Sequence, residues 1–134
     1  EASLIKRAIR DLYDKDIAQV IVEGDGGYRE AKDFMKMLMP SHSKNVQPYK
    51  ERTPLFVAHK VEAQLDSMYQ PTVRLKSGGY IVINQTEALV AIDVNTGKYV
   101  GKSNRLEDTI VKTNLEAVKE IVRQMRLRDL GGII

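Results

Sequence analysis

The spacing of apolar residues predicts alternating helices and strands over the first half of the chain. Residues 3–13 carry apolar side chains three and four positions apart, which predicts a helix with Ser3 as its cap. Residues 17–23 are rich in β-branched side chains and predict a short strand, and the glycines of residues 24–27 predict a turn. A second helix is expected to stop at Pro40, because proline lacks the amide hydrogen that would continue it.

A further strand and a third helix are predicted before residue 70. Residues 44–49 fit a strand, and Thr53-Pro54 can start a helix because proline is tolerated in the first turn. The inward positions expected for the second and third helices are Ala31, Phe34, Met35 and Leu38, and Val57, Val61, Leu65 and Met68. The order helix–strand–helix–strand–helix is typical of an α/β fold.

The second half has a different pattern. Residues 72–75, 79–84 and 88–95 predict three strands, with turns at 77–79 and 85–86, and such short connections indicate an antiparallel meander. Residues 105–128 then predict a long amphipathic helix, in which Asn104 and Glu107 resemble a capping box. Its apolar stripe consists of Val111, Leu115, Val118, Val122 and Met125.

These patterns predict one α/β chain in two parts, residues 1–71 and residues 72–134, divided near Gln70-Pro71. The first part is a helix/strand segment, and the second combines the meander with the long helix. The chain begins within a turn of a helix, and its last four residues, Gly-Gly-Ile-Ile, look like the first residues of a buried strand. We therefore expect the sequence to be a piece of a longer protein.

Composition excludes several classes of protein and indicates a polyanionic partner. Hydrophobic residues make up 43% and charged residues 29%, as in ordinary soluble domains, and no apolar run approaches a membrane span, so no membrane insertion is expected. The absence of cysteine excludes disulfides and thiolate zinc sites and fits a cytoplasmic location. Residues 98–128 hold eight basic and four acidic side chains. That excess attracts polyanions, although a solvated helix face is the alternative explanation.

The strand at residues 88–95 carries the clearest candidate chemistry. Asp93 and Asn95 lie two positions apart, so they point to the same face, roughly 6.6 Å apart at ~3.3 Å per residue. Burying a carboxylate is costly unless it is paired or binds a metal. An Asp and an Asn at the end of an apolar strand therefore predict a cation site. The alternative is a simple turn residue, which Gly97 supports.

The other motifs are weaker. The glycines of residues 24–27 join a strand to a helix, but they match neither dinucleotide-binding nor P-loop spacing. Thr96-Gly97-Lys98 ends like a P-loop without its upstream glycine. His42 and His59 have no further ligand at metal spacing, so we expect a loop residue and a helix-surface residue.

Three segments resemble the bacterial ribonuclease E/G family: residues 77–97, Lys112-Thr-Asn-Leu-Glu-Ala117, and residues 123–134. Residues 1–76 are similar to it more loosely. The resemblance implies that residues 1–71 are part of a ribonuclease-H-like subdomain. It also implies that residues 72–134 are the start of a subdomain resembling deoxyribonuclease I.

The resemblance further implies a chemistry and partners. Family members hold Mg²⁺ between two aspartates and cut single-stranded RNA. Asp93 would be the first aspartate and Asn95 would orient it, while the second would come a few residues past Ile134. Mn²⁺ is a possible substitute, and the family's zinc is not expected here. The parent protein is expected to form dimers or tetramers. Candidate RNA contacts in the positive segment are Lys98, Lys102, Arg105 and Lys112.

Three hypotheses follow. The first is a piece of a metal-dependent endoribonuclease that is inactive alone, because half of its metal site is absent. The second is a non-catalytic RNA-contact or scaffold module in which Asp93 is structural. The third is an unrelated small-molecule α/β enzyme, which no cofactor fingerprint supports.

Overall fold

A computed structural model describes residues 3–97 and 106–134 of the chain. It divides into two compact units, Glu1–Val61 and Glu62–Ile134. The helices are α1 (Leu4–Leu12), α2 (Asp25–Leu38), α3 (Leu55–Ala58), α4 (Val61–Ser67) and α5 (Leu106–Leu127). The strands are β1 (Val20–Glu23), β2 (Val46–Tyr49), β3 (Thr72–Arg74), β4 (Tyr80–Gln85) and β5 (Val90–Asn95). The mixed α/β class predicted from the sequence is confirmed.

The first unit packs α1 and α2 around a two-stranded parallel sheet of β1 and β2, in which Val20 pairs with Val46. Ser3 caps α1 as predicted, because its hydroxyl accepts a hydrogen bond from the Lys6 amide. The core residues are Ile9, Ala31, Met35 and Val46. A 3-10 helix, Pro40–Asn45, follows α2 and leads into β2.

The third predicted helix is wrong in extent and in its burial. The backbone turns at Lys60, which has a φ of 59°, so the segment forms two short helices, α3 and α4. Neither contains a buried residue, and Val57 and Leu65 are exposed. Only Val61 and Met68 of the expected inward stripe are half-buried. A residue in the left-handed conformation interrupts the hydrogen bonds of an α-helix, and apolar spacing alone does not predict where such a residue occurs.

The second unit contains the predicted antiparallel meander, in the order β3–β4–β5, with α5 against one face. Ile81, Ile83 and Val90 are buried on that face, together with Leu75 from the β3–β4 turn. Residues 131–134 form no strand, but the Val90 amide donates to the Ile133 carbonyl at 2.8 Å. The backbone after α5 therefore lies along the edge of β5.

The α5 helix packs with a different face from the one its apolar spacing suggests. Its buried residues are Thr109, Thr113, Ala117 and Gln124. Val111, Leu115, Val118 and Val122 are more than half exposed, and only Met125 of that stripe is half-buried. The start of the predicted capping box, Asn104, lies outside the described residues. None of the helices in the described ranges is long and apolar enough to cross a membrane.

Candidate active site

Asp93 and Asn95 lie on the same face of β5, as alternation predicts. Asp93 is paired with Val82 of β4, and Asn95 is paired with Tyr80. Tyr80 is in turn paired with Arg74 of β3. Because directly paired residues share a face of the sheet, Arg74, Tyr80 and Asn95 form one row across it. Asp93 lies in the neighbouring row with Val82.

This face of the sheet is open, which corrects one premise of the sequence analysis. The strand is buried only on the face that contacts α5, where Val90 is 3% exposed. Asp93 and Ala91 are exposed, and Asn95 is half-buried. The cost of burying a carboxylate therefore does not apply to Asp93. Asp93 remains a candidate metal ligand because it lies beside Asn95 and is accessible from solvent.

The end of β5 is held by a local turn and by close packing. The Oδ1 atom of Asn95 accepts a hydrogen bond of 2.8 Å from the Gly97 amide. Gly97 has a φ of +61°, and a Cβ atom there would lie 2.6 Å from the Gly78 carbonyl oxygen. A Cβ atom at Gly79 would lie 2.8 Å from the Asn95 carbonyl oxygen and 3.1 Å from Thr113 Cγ2. The β3–β4 turn, the end of β5 and α5 thus meet with no space for a side chain.

A pair of side-chain hydrogen bonds also links α5 to the β3–β4 turn, and no pattern in the sequence predicts it. Glu116 accepts hydrogen bonds from the Ser77 hydroxyl and from the Ser77 amide. The hydroxyl is the main reason that the pKa of Glu116 is lowered, and the amides of Ser77 and Lys76 and the Lys76 charge act in the same direction. Partial desolvation opposes them. Because Ser77 and Glu116 are 39 positions apart, no local pattern connects them.

The metal site predicted from the sequence lies at the end of β5. No group of three or more His, Asp or Glu side chains able to hold an ion occurs within residues 3–97 and 106–134. At the end of β5 the Asp93 carboxylate is the available oxygen ligand, since the Asn95 Oδ1 atom already accepts from the Gly97 amide, and a carboxylate suits Mg²⁺ or Mn²⁺. It fits part of a coordination shell, since magnesium bound by one carboxylate normally needs substrate or further ligands.

The candidate RNA contacts are only partly described. Lys98, Lys102 and Arg105 lie outside the described residues, and Lys112 is exposed on α5. His59 is exposed at the end of α3, as expected. His42, expected in a loop, lies in the 3-10 helix and its Nδ1 atom is 2.6 Å from the Tyr13 hydroxyl. It therefore belongs to the packing of the first unit.

Comparison with known proteins accounts for the whole chain. The profile of the Ribonuclease E/G family matches residues 1–134. Ribonuclease E of Haemophilus influenzae (strain ATCC 51907 / DSM 11121 / KW20 / Rd) is 42% identical over 134 residues, covering 100% of this chain and 14% of that protein. Ribonuclease G of Escherichia coli (strain K12) is 40% identical over 134 residues, covering 100% of this chain and 27% of that protein.

Ribonuclease E of Escherichia coli (strain K12) is 42% identical over 135 residues, again over 100% of this chain and 13% of the relative. The chain thus spans between about an eighth and about a quarter of the length of these relatives. A match over the full chain at this identity is decisive. The chain belongs to the ribonuclease E/G family.

Proposed function

We propose that this chain is part of a metal-dependent endoribonuclease that cleaves single-stranded RNA, with Asp93 as a metal ligand. The observation that carries the proposal is the placement of Asp93 and Asn95 on one open face at the end of β5, within a chain of this family. The relatives are named ribonucleases, which supports phosphodiester cleavage as the reaction.

The geometry supports distinct roles for the two side chains. Asp93 is exposed, so its carboxylate can reach an ion without first displacing protein groups. The Oδ1 atom of Asn95 accepts from the Gly97 amide, so its Nδ2 group is the donor end of this side chain. A donor two residues from Asp93 on the same face is suited to orient that carboxylate. We infer that Asn95 positions Asp93 and is not itself a ligand.

The proposed metal is Mg²⁺, with Mn²⁺ as a substitute. When bound, such an ion makes its water ligand more acidic and neutralises charge on the phosphate under attack. One carboxylate holds it weakly, so we propose that a second carboxylate of the parent protein completes the site and that this chain alone is inactive. Zinc has no part in this proposal. Assembly of the parent into dimers or tetramers, implied by the family, also remains a proposal.

Manganese titration followed by amide NMR tests the role of Asp93. We expect paramagnetic line broadening centred on residues 93–95, and its loss in Asp93→Asn. Asp129→Asn is the matched control, because it removes an exposed carboxylate after the end of α5. Broadening that persists in Asp93→Asn would contradict the proposed ligand. Efficient RNA cleavage by this chain, abolished by Asp93→Asn, would overturn the proposed inactivity and leave the ligand role intact.

A non-catalytic RNA-contact module is the second candidate. The exposure of Asp93 and the lack of an ion-binding cluster among residues 3–97 and 106–134 favour it. It predicts that manganese broadens no signal near residue 93 and that Asp93→Asn changes neither metal response nor RNA binding. RNA binding would then depend on Lys and Arg and fall as salt rises.

A further inference from the structure

A groove of about 650 Å³ lies in the second unit between the edge strand β3 and the C-terminal half of α5. Its charged lining is mainly basic. The basic residues are Arg74, Lys76, Lys119, Arg123 and Arg128, and the acidic residues are Glu116 and Glu120. No aromatic side chain occurs among the described residues that line it. The groove therefore offers positive charge and no surface on which a base would stack.

The two carboxylates of the groove are already used within the protein. Glu116 accepts from the hydroxyl and the amide of Ser77. The Oε1 atom of Glu120 accepts from Arg123 Nη1 at 3.0 Å and from the side-chain Nε2 atom of Gln124 at 2.8 Å. Arg123 is thereby paired with Glu120, but the basic residues of the lining still outnumber the acidic ones by five to two.

Arg128 is held in place by the same series of bonds. Its Nε atom donates to the Gln124 Oε1 atom at 2.8 Å, and Gln124 in turn donates to Glu120. Its Nη2 atom is buried and has no hydrogen-bond partner within the described part of the chain. A buried charged donor without an acceptor is costly, and native proteins rarely retain one without a purpose. Since Arg128 lines the groove, an anion bound there would supply the acceptor if a small shift of the guanidinium exposed the Nη2 atom.

One lining residue connects the groove with the candidate active site. Arg74 is exposed, and by register it lies in the same row of the sheet as Tyr80 and Asn95. Three strands separated by about 4.8 Å put β3 and β5 roughly 10 Å apart. Because α5 covers the opposite face of the sheet, a polyanion held in the groove would pass around the edge strand β3 at Arg74 to reach Asp93 on the open face.

We propose that this groove binds phosphate groups in the backbone of a single-stranded RNA and guides the strand towards Asp93. Arginine and lysine are the side chains that contact phosphate, and a groove lacking aromatic groups reads backbone charge and not base identity. The inference rests on the proposed ribonuclease function for the identity of the polyanion. The groove residues differ from the RNA contacts expected from the sequence, namely Lys98, Lys102, Arg105 and Lys112.

Binding of a fluorescein-labelled oligouridine to this chain tests the groove. The double variant Lys119→Gln/Arg123→Gln removes two exposed charges, and Arg126→Gln is the matched control on the same helix outside the groove. Fluorescence anisotropy is measured in EDTA, over a range of salt concentrations. We expect Kd to rise about tenfold in the double variant. The negative slope of the log association constant against log salt should become shallower by about 1.4, because two phosphate contacts are lost. The control should leave both unchanged.

Two further probes identify the ligand chemistry. A peptide nucleic acid of the same base sequence has no backbone charge and should not bind. Inorganic phosphate should bind weakly and shift the Arg128 Nε–H signal in NMR spectra, and the RNA should shift the same signal. Equal RNA affinity in the double variant and the control would overturn the proposal, as would binding of the neutral analogue. A phosphate shift at Arg128 without any RNA binding would also overturn it, because the site would then take free phosphate only.

The result is separable from that of the metal test. Because EDTA removes divalent ions, loss of affinity in the double variant stands even if manganese fails to bind near Asp93. Conversely, manganese broadening at Asp93 with unchanged affinity in the double variant refutes the groove alone. Amide spectra show whether each variant is folded. If the double variant is unfolded, Lys76→Gln replaces it, because this variant removes a different exposed charge from the same groove.

Discussion

Helices α2 and α5 both carry an apolar stripe at helical spacing, yet only α2 packs with most of its stripe, from which Leu38 is the exposed exception. In α2, Ala31 and Met35 have 0% exposure and lie in the core of the first unit. In α5, Leu115 is 64% exposed, while Thr113 and Ala117 face the sheet. Spacing predicts that a helix forms and that one side is apolar, but the neighbouring elements decide which side packs.

The reason lies in the surface that each helix meets. The α2 helix lies beside a two-stranded sheet, with space for long side chains such as Met35. The α5 helix approaches the tight junction at Gly79, where a Cβ atom would lie 3.1 Å from Thr113 Cγ2. Small side chains such as Ala117 permit that approach, whereas leucine at the contact would separate helix and sheet.

The largest expected effect contrasts the two stripes directly. Met35→Ala should lower the free energy of unfolding of the first unit by about 2–5 kcal/mol, because it leaves a cavity in a closed core. Leu115→Ala should change that of the second unit by less than about 0.5 kcal/mol, as for exposed positions generally. Amide hydrogen exchange measures each unit separately. A loss above about 1 kcal/mol in Leu115→Ala that grows with protein concentration would show that its stripe is covered in solution.

Two glycines should respond to alanine with opposite signs. Gly79→Ala should destabilise the second unit by about 1–3 kcal/mol, because the added methyl group meets the Asn95 carbonyl oxygen at 2.8 Å. Gly26→Ala in α2 meets nothing within 4 Å and should stabilise the first unit by about 0.5–1 kcal/mol. Urea denaturation with amide NMR detection in each unit measures both. Destabilisation by both variants to a similar extent would remove the distinction between an open helix position and a packed junction.

The smallest expected effect concerns the Ser77–Glu116 hydrogen bonds between α5 and the β3–β4 turn. The pKa of Glu116 in the folded chain lies below its ordinary value of 4.5, chiefly through the Ser77 hydroxyl. Its ionised form therefore contributes stability above about pH 4.5, and that contribution is lost as the pH falls through the lowered pKa. Urea midpoints of the second unit should decline less steeply in Ser77→Ala than in the parent chain over that range. Ser67→Ala is the control, since its hydroxyl bonds only within α4. Parallel declines in all three would exclude this role for Ser77.

The candidate site was predictable only in part. Alternation along β5 put Asp93 and Asn95 on one face, because side-chain direction in a strand depends on position alone. The exposure of that face was not predictable, since an apolar strand looks the same whether one face or both are covered. The basic groove was also not predictable from the sequence, because its lining residues on β3 and α5 are more than 40 positions apart.

The sequence by itself determined most of the element types, the meander, the shared face of Asp93 and Asn95, and membership of the family. These depend on local spacing and on residue identity. Only the tertiary structure decided the face with which α5 packs, the Ser77–Glu116 hydrogen bonds and the assembly of Arg74, Arg123 and Arg128 in one groove. Contacts between distant residues depend on how closely the backbones approach, and that distance follows from the packing of the whole unit.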